Sequence, residues 1–198
     1  MKIIGKDSLS QYISYFIFVL FIILVGKSIY EQIGYWVSYY NYSNHSYILS
    51  TFFVIGNDVG WEINKFTSKY DDVMKFKFYI PFTTQNLITG IFNLGTYINN
   101  TVRDLFLVGF FYTGYKSFKE ISSDKVFNLN VILWLKRFGW LNIIFSILIL
   151  FISIFHLNIF GTSDLYTFYF LFFGVFILFI VEFFKKGYDL QSENDLTI

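Results

Sequence analysis

The sequence predicts an all-α membrane protein: a four-helix transmembrane bundle with a small extracytoplasmic β-containing loop between its first and second spans. Three observations carry this expectation. Phe138 to Leu157 and Leu165 to Phe184 are stretches of about twenty residues, dense in Phe, Ile and Leu, with almost no formal charge. At 1.5 Å per residue each covers roughly 30 Å, the thickness of a bilayer's hydrocarbon core. Ser8 to Gly26 is a further uncharged run. Finally, 55% of the 198 residues are hydrophobic, only 15% are charged, and the mean hydropathy is +0.52, which places the chain among integral membrane proteins. The aromatic share is high, but Phe, Ile, Tyr, Asn and Lys together are the usage of an AT-rich gene, so aromatic abundance alone carries no function.

Residues 1–30 are expected to form a cytoplasmic N-terminus and the first transmembrane helix. The run follows Lys2, Lys6 and Asp7 as a secretory signal would, but Ser28-Ile29-Tyr30-Glu31 lacks a small-x-small cleavage pattern, so the segment reads as an uncleaved anchor. Residues 31–84 read as an extracytoplasmic β-rich loop. Met74-Lys75-Phe76-Lys77-Phe78 alternates with period two, Ile48 to Ile55 is a second β-type run, and Gly56-Asn57-Asp58-Val59-Gly60 supplies turn chemistry. Pro81 cannot donate to a ladder and Thr83 or Thr84 can cap a helix, so strand is expected to give way to helix there. Residues 85–121 are then one long helix, because the uncharged block between Asp104 and Lys116 is only eleven residues and cannot cross alone. Residues 122–137 form a cytoplasmic loop with a short interfacial helix, capped at Asn128. The third transmembrane helix is 138–157, the outer loop 158–164, the fourth transmembrane helix 165–186, and the cytoplasmic tail 187–198. Four spans put Lys2, Lys6, the group Lys116, Lys119, Lys125, Lys136, Arg137 and the doublet Lys185, Lys186 all inside, while 158–164 has no Lys or Arg, as an outer loop should. Both termini are therefore expected in the cytoplasm of a multi-pass cell-membrane protein.

Composition and motifs exclude several functions. A net charge of +1 offers no basic field for nucleic acid, and the absence of cysteine removes disulfides, thiolate catalysis and cysteine-ligated metals. His45 and His156 lack metal-ligand spacing, and Asp58, Glu62, Asp71 and Asp72 read as a solvated loop face before a cation site. No Ser, Thr or Lys has a base partner by motif and no Gly-rich phosphate cradle exists, so no enzyme, catalytic residue, metal or cofactor is expected. Glu182 is the one carboxylate inside an expected span. Intramembrane charge points to function by default, but Lys185 and Lys186 follow at i+3 and i+4, so an interfacial ion pair is the structural alternative. Arg103 and Asp104 are either an interfacial or a buried pair. The sequons at Asn41, Asn44 and Asn99 read as chance in an Asn-rich chain, and Asn142, Ser146 and Ser153 as bundle-facing packing residues.

Two remaining stretches, Ser123 to Trp140 and Glu182 to Ile198, resemble the hallmarks of the bacterial membrane-protein family catalogued as domain of unknown function 2975. In the first, Lys125, Phe127, Asn130, Leu135, Arg137, Phe138 and Gly139 stand in the family's order, with Asp124 where Gly is usual. In the second, Phe183-Phe184-Lys185-Lys186-Gly187, Leu190, Glu193-Asn194-Asp195 and Leu196-Thr197-Ile198 match its ending. The resemblance covers about the C-terminal half and implies four spans with cytoplasmic ends. It also implies, by association, a membrane partner that senses or sequesters a small helix-turn-helix transcription regulator. The docking candidates are then Phe127, Asn130, Gly139, Gly187, Leu190, Glu193, Asn194, Leu196 and Thr197. The alternative is that these residues cap and seat helices, with Gly187 stopping the fourth. Partners on this reading are the lipid bilayer, the regulator and further copies of the chain, with no direct nucleic-acid contact. The competing reading is a small oligomeric transporter or channel subunit, which near-absence of midplane polar residues disfavours.

Overall fold

The computed structural model describes residues 4–123, 126–154 and 164–196. In chain order these form α1 (Leu9–Asn44), β1 (Phe53–Gly56), β2 (Lys75–Tyr79), β3 (Asn86–Ile91), α2 (Leu94–Ile121), α3 (Leu129–Ile154) and α4 (Asp164–Leu196), with a 3₁₀ turn at Ser68–Tyr70. Among the described residues three helices are long and apolar enough to cross a bilayer, within Leu9–Asn44, Leu129–Ile152 and Thr167–Glu193. α2 is not among them, because Arg103, Asp104, Lys116, Lys119 and Glu120 interrupt its apolar run. The chain forms two compact units. One contains the described residues up to Val25 and those from Arg103 on, and the other contains Gly26–Val102.

In the Gly26–Val102 unit a three-stranded antiparallel sheet, in the order β1-β2-β3, pairs Phe53 with Phe78 and Phe76 with Gly90. The alternation in β2 aims Phe76 and Phe78, both fully buried, at the C-terminal half of α1, where they surround Tyr35 with Phe53. Gly34 permits this approach: a Cβ there would lie 2.8 Å from the Phe53 and Phe78 rings. The lysines of β2 take the other face, as expected, but Lys75 is buried, its Nζ donating to the Asn57 carbonyl at 2.6 Å and thereby organising the β1–β2 loop. The expected strand therefore forms at Lys75–Tyr79, and the expected β-run at 48–55 contributes only its end, Phe53–Gly56.

Four expected boundaries are corrected. First, α1 does not end near residue 30 but continues to Asn44; Glu31 to Asn44, read as part of a β-rich loop, is helical, and packs on the sheet through buried Tyr35 with Val37 beside it. The helix opens where the Gln11 side chain accepts from the Asp7 N–H at 2.8 Å. It closes at His45, whose φ of 50° is left-handed. Secondly, Pro81 does not start a helix. Ile80 accepts from the Thr83 N–H at 3.1 Å, with Pro81 and then Phe82 (φ 62°) at the turn's centre, and the chain returns as β3. α2 begins instead at Leu94, capped by Asn93, whose Oδ1 accepts from the Thr96 N–H at 2.8 Å. Thirdly, among the described residues no separate interfacial helix precedes α3, which is continuous from Leu129, and Asn128 caps it as expected, accepting from the Val131 N–H at 2.9 Å. Fourthly, Gly187 does not end α4, which continues to Leu196, so the expected tail is mostly helix. The expected outer loop at 158–164 lies outside the described residues apart from Asp164, which opens α4.

The other unit is held by α3 packed on α4. Val131, Ile132, Leu135, Phe138, Ile177 and Val181 form its buried core, with Phe110 of α2 and Phe184 and Tyr188 of α4 against it. The helices meet backbone to backbone at Gly139 and Gly174, where a Cβ on Gly174 would fall 2.7 Å from the Gly139 carbonyl oxygen. Small residues at such crossings are how spanning helices pack without a hydrophobic driving force. The first half of α1 joins through Phe18, 4.9 Å from the Tyr115 ring, and Phe21, 5.4 Å from Tyr112.

Candidate functional site

The two hallmark stretches meet in space. The ring of Phe127, in the turn before α3, lies over Gly187 of α4 so closely that a Cβ there would sit 2.5 Å from two ring carbons, and its centroid is 5.6 Å from that of Phe184. Gly187 is thus a seat for Phe127 inside a helix, which explains why it does not act as a stop. Gly139 is likewise a packing residue, with Leu178 as well as Gly174 against it. Of the remaining docking candidates, Asn130, Leu190 and Glu193 are exposed, Asn194 and Leu196 belong to the end of α4, and Thr197 lies outside the described residues. Three of the candidates are therefore seats (Phe127, Gly139, Gly187), and Asn130, Leu190 and Glu193 are exposed.

A second feature lies in the Gly26–Val102 unit. Tyr35, Trp36, Tyr39 and Tyr42, spaced i, i+1, i+4 and i+7, put four aromatic rings along one side of α1. Phe92, Asn93, Leu94 and Tyr97 face them, and together they line a groove of about 410 Å³ with no charged side chain in its wall. Its floor is rigid. Tyr35 Oη accepts from Asn100 Nδ2 at 2.7 Å, Tyr97 Oη donates to Gln32 Oε1 at 3.1 Å, and Gln32 Nε2 donates to Thr101 Oγ1 at 3.0 Å. Its rim is open, with Trp36, Tyr39, Tyr42 and Leu94 all exposed. Ligand sites of this volume are mostly apolar, with a few polar groups to orient the guest.

A family model described as a protein of unknown function (DUF2975) matches residues 101–198. The C-terminal half of the chain belongs to that family. No curated protein and no solved structure matches the chain. The DUF2975 region contains α3, α4, both hallmark stretches and most of α2, whereas the aromatic groove precedes it.

Within the DUF2975 region Glu182 is exposed and its carboxylate lies 2.5 Å from Lys185 Nζ, the i,i+3 pair of the structural alternative. It is not the sole carboxylate on a helix able to span: Glu31 of α1 is fully buried, 2.5 Å from Lys27 Nζ. Arg103 is exposed and Asp104 buried. His45 is exposed at the end of α1 and His156 lies outside the described residues; Asp58, Glu62, Asp71 and Asp72 are exposed. Among the described residues no group of three His, Asp or Glu could hold a metal. The Asn41 side chain is committed to structure, donating to the Ile48 carbonyl at 2.8 Å and accepting from Ser46 Oγ at 2.9 Å and the Ile48 N–H at 3.0 Å. Asn142 and Ser146 are buried as expected, yet bond their own helix, to the carbonyls of Phe138 and Asn142. The aromatic groove is the feature that the sequence does not announce. Its signal is the helical spacing of Tyr35, Trp36, Tyr39 and Tyr42, masked because the short apolar pieces around them read as strands.

Proposed function

We propose that this protein is a non-enzymatic membrane sensor: four helices cross the bilayer, both termini are cytoplasmic, the Gly26–Val102 unit takes up an uncharged apolar or aromatic ligand, and the cytoplasmic helix ends hold a regulator. The observation that carries the reading is the aromatic groove. A charge-free wall rejects ions, because a buried charge without a partner is costly, and favours flat or apolar guests that stack on Trp and Tyr. The exposed hallmark residues Asn130, Leu190 and Glu193 fit a surface for a small helix-turn-helix regulator, the partner the family resemblance implies. Transport is the weaker reading, since Asn142, Ser146, Thr113 and Ser117 each bond a carbonyl of their own helix.

Two experiments test this. The chain has no cysteine, so single cysteines introduced at Lys65 and after Ile198 report topology directly with a membrane-impermeant maleimide; labelling of both positions from one side refutes the arrangement. Full-length protein purified from its native membranes is expected to bring down a DNA-binding protein, lost when residues 191–198 are deleted. Solute flux in proteoliposomes together with no co-purifying regulator overturns the sensor in favour of a transporter.

A further inference from the structure

Where α2 gives way to α3, four cations gather. Lys116 and Lys119 lie near the end of α2, and Lys136 and Arg137 near the start of α3; among the described residues none of the four is in an ion pair. Three of them rest on aromatic rings instead. Lys116 Nζ is 5.4 Å from the Trp134 ring centre and 5.9 Å from that of Tyr115. The Arg137 guanidinium is 4.6 Å from the same Trp134 ring, and Lys119 Nζ is 5.7 Å from Tyr115. A ring face attracts a cation but leaves its charge in place, and two cations on one indole repel each other. An anion between them removes that repulsion.

The surroundings select the kind of anion. α3 is one of the helices able to cross a bilayer. Its residues Leu133, Arg137, Trp140, Ile144, Ile147 and Phe151 recur at steps of three or four and are all exposed, so one stripe runs from the cationic corner along the apolar length of the helix. An amphiphile fits both parts: a negative head at Lys116, Lys119 and Arg137, and an acyl chain down the stripe. Trp and Tyr are the residues enriched at head-group depth. We infer that this corner binds the phosphate of a phospholipid whose head group carries net negative charge, an interaction that basic clusters between spanning helices are suited to make.

The test is lipid retention. Full-length protein reconstituted in equimolar phosphatidylglycerol and phosphatidylcholine is re-extracted in detergent, and the lipid it keeps is quantified by mass spectrometry. Phosphatidylglycerol is expected to be enriched, with the preference falling about fivefold in each of Lys116→Gln and Arg137→Gln. Lys116→Arg and Arg137→Lys, which keep the charge, are expected to retain it. These charge-conserving variants and the wild type still decide the matter if a glutamine variant does not fold. Equal retention of the two lipids by wild type, or an unchanged preference in folded glutamine variants, overturns the inference. So does saturable binding of inorganic phosphate alone to the detergent-solubilised protein, which assigns the corner to a soluble anion.

Discussion

Gly174→Ala places one methyl group at the closest approach of α3 and α4. The new Cβ would lie 2.7 Å from the Gly139 carbonyl oxygen, 2.8 Å from Ile143 Cγ1 and 3.1 Å from Asn142 Cβ, whereas ordinary van der Waals contact begins at 3.4 Å. The helices must part locally by the difference of the first and last distances, 3.4 − 2.7 = 0.7 Å. A backbone oxygen has no rotamer to escape through, so the movement spreads into the core of Phe138, Ile177 and Val181. A gap of this size forfeits about a quarter to a half of each affected dispersion contact, and overpacking of this kind costs about 1–3 kcal/mol. Against this stands the helix-propensity gain of Ala over Gly, about 1 kcal/mol. Gly26→Ala in α1 isolates that gain, because nothing lies within 4 Å of a Cβ there. The two variants share the propensity term, so their difference in unfolding free energy reports packing alone and is expected at about 1–3 kcal/mol in favour of Gly26→Ala. Equilibrium unfolding in mixed micelles, followed by circular dichroism, measures it. Equal stability of the two variants would refute the backbone-contact account of the α3/α4 crossing.

Two further outcomes follow from named contacts. Phe127→Ala empties the space over Gly187, and since Phe127 is partly exposed the loss is expected at about 1–2 kcal/mol, below that of a core Phe truncation. Gly187→Ala destabilises the wild type but stabilises the Phe127→Ala protein, where the methyl group has room; a double-mutant cycle without that change of sign contradicts the seat. Asn41→Ala removes three hydrogen bonds that fold residues 46–48 onto the end of α1 and is expected to cost about 2 kcal/mol. Amide exchange at Ser46 and Ile48 should accelerate with it, and unchanged protection there argues against the latch.

Features carried by a residue's own neighbourhood are legible in the sequence. The length of the apolar runs within α1, α3 and α4 follows from bilayer thickness, period two places β2, Asn128 can cap only what comes next, and Glu182 lies one helical turn from Lys185. Each is a local rule with a short reach. The rest is decided by partners distant in sequence. Asn86 to Ile91 is strand because β2 offers it a ladder, and Gly187 is helix interior because Phe127 fills the space beside it. Glu31 to Asn44 is helix where Tyr35 is buried by Phe53, Phe76 and Phe78 of a sheet some twenty to forty residues away. The groove between Tyr35 and Tyr97 depends on the same packing, so no window of sequence contains it. A strand and a helix can be written with the same residues when each buries one face, and only the surface that arrives to cover that face chooses between them.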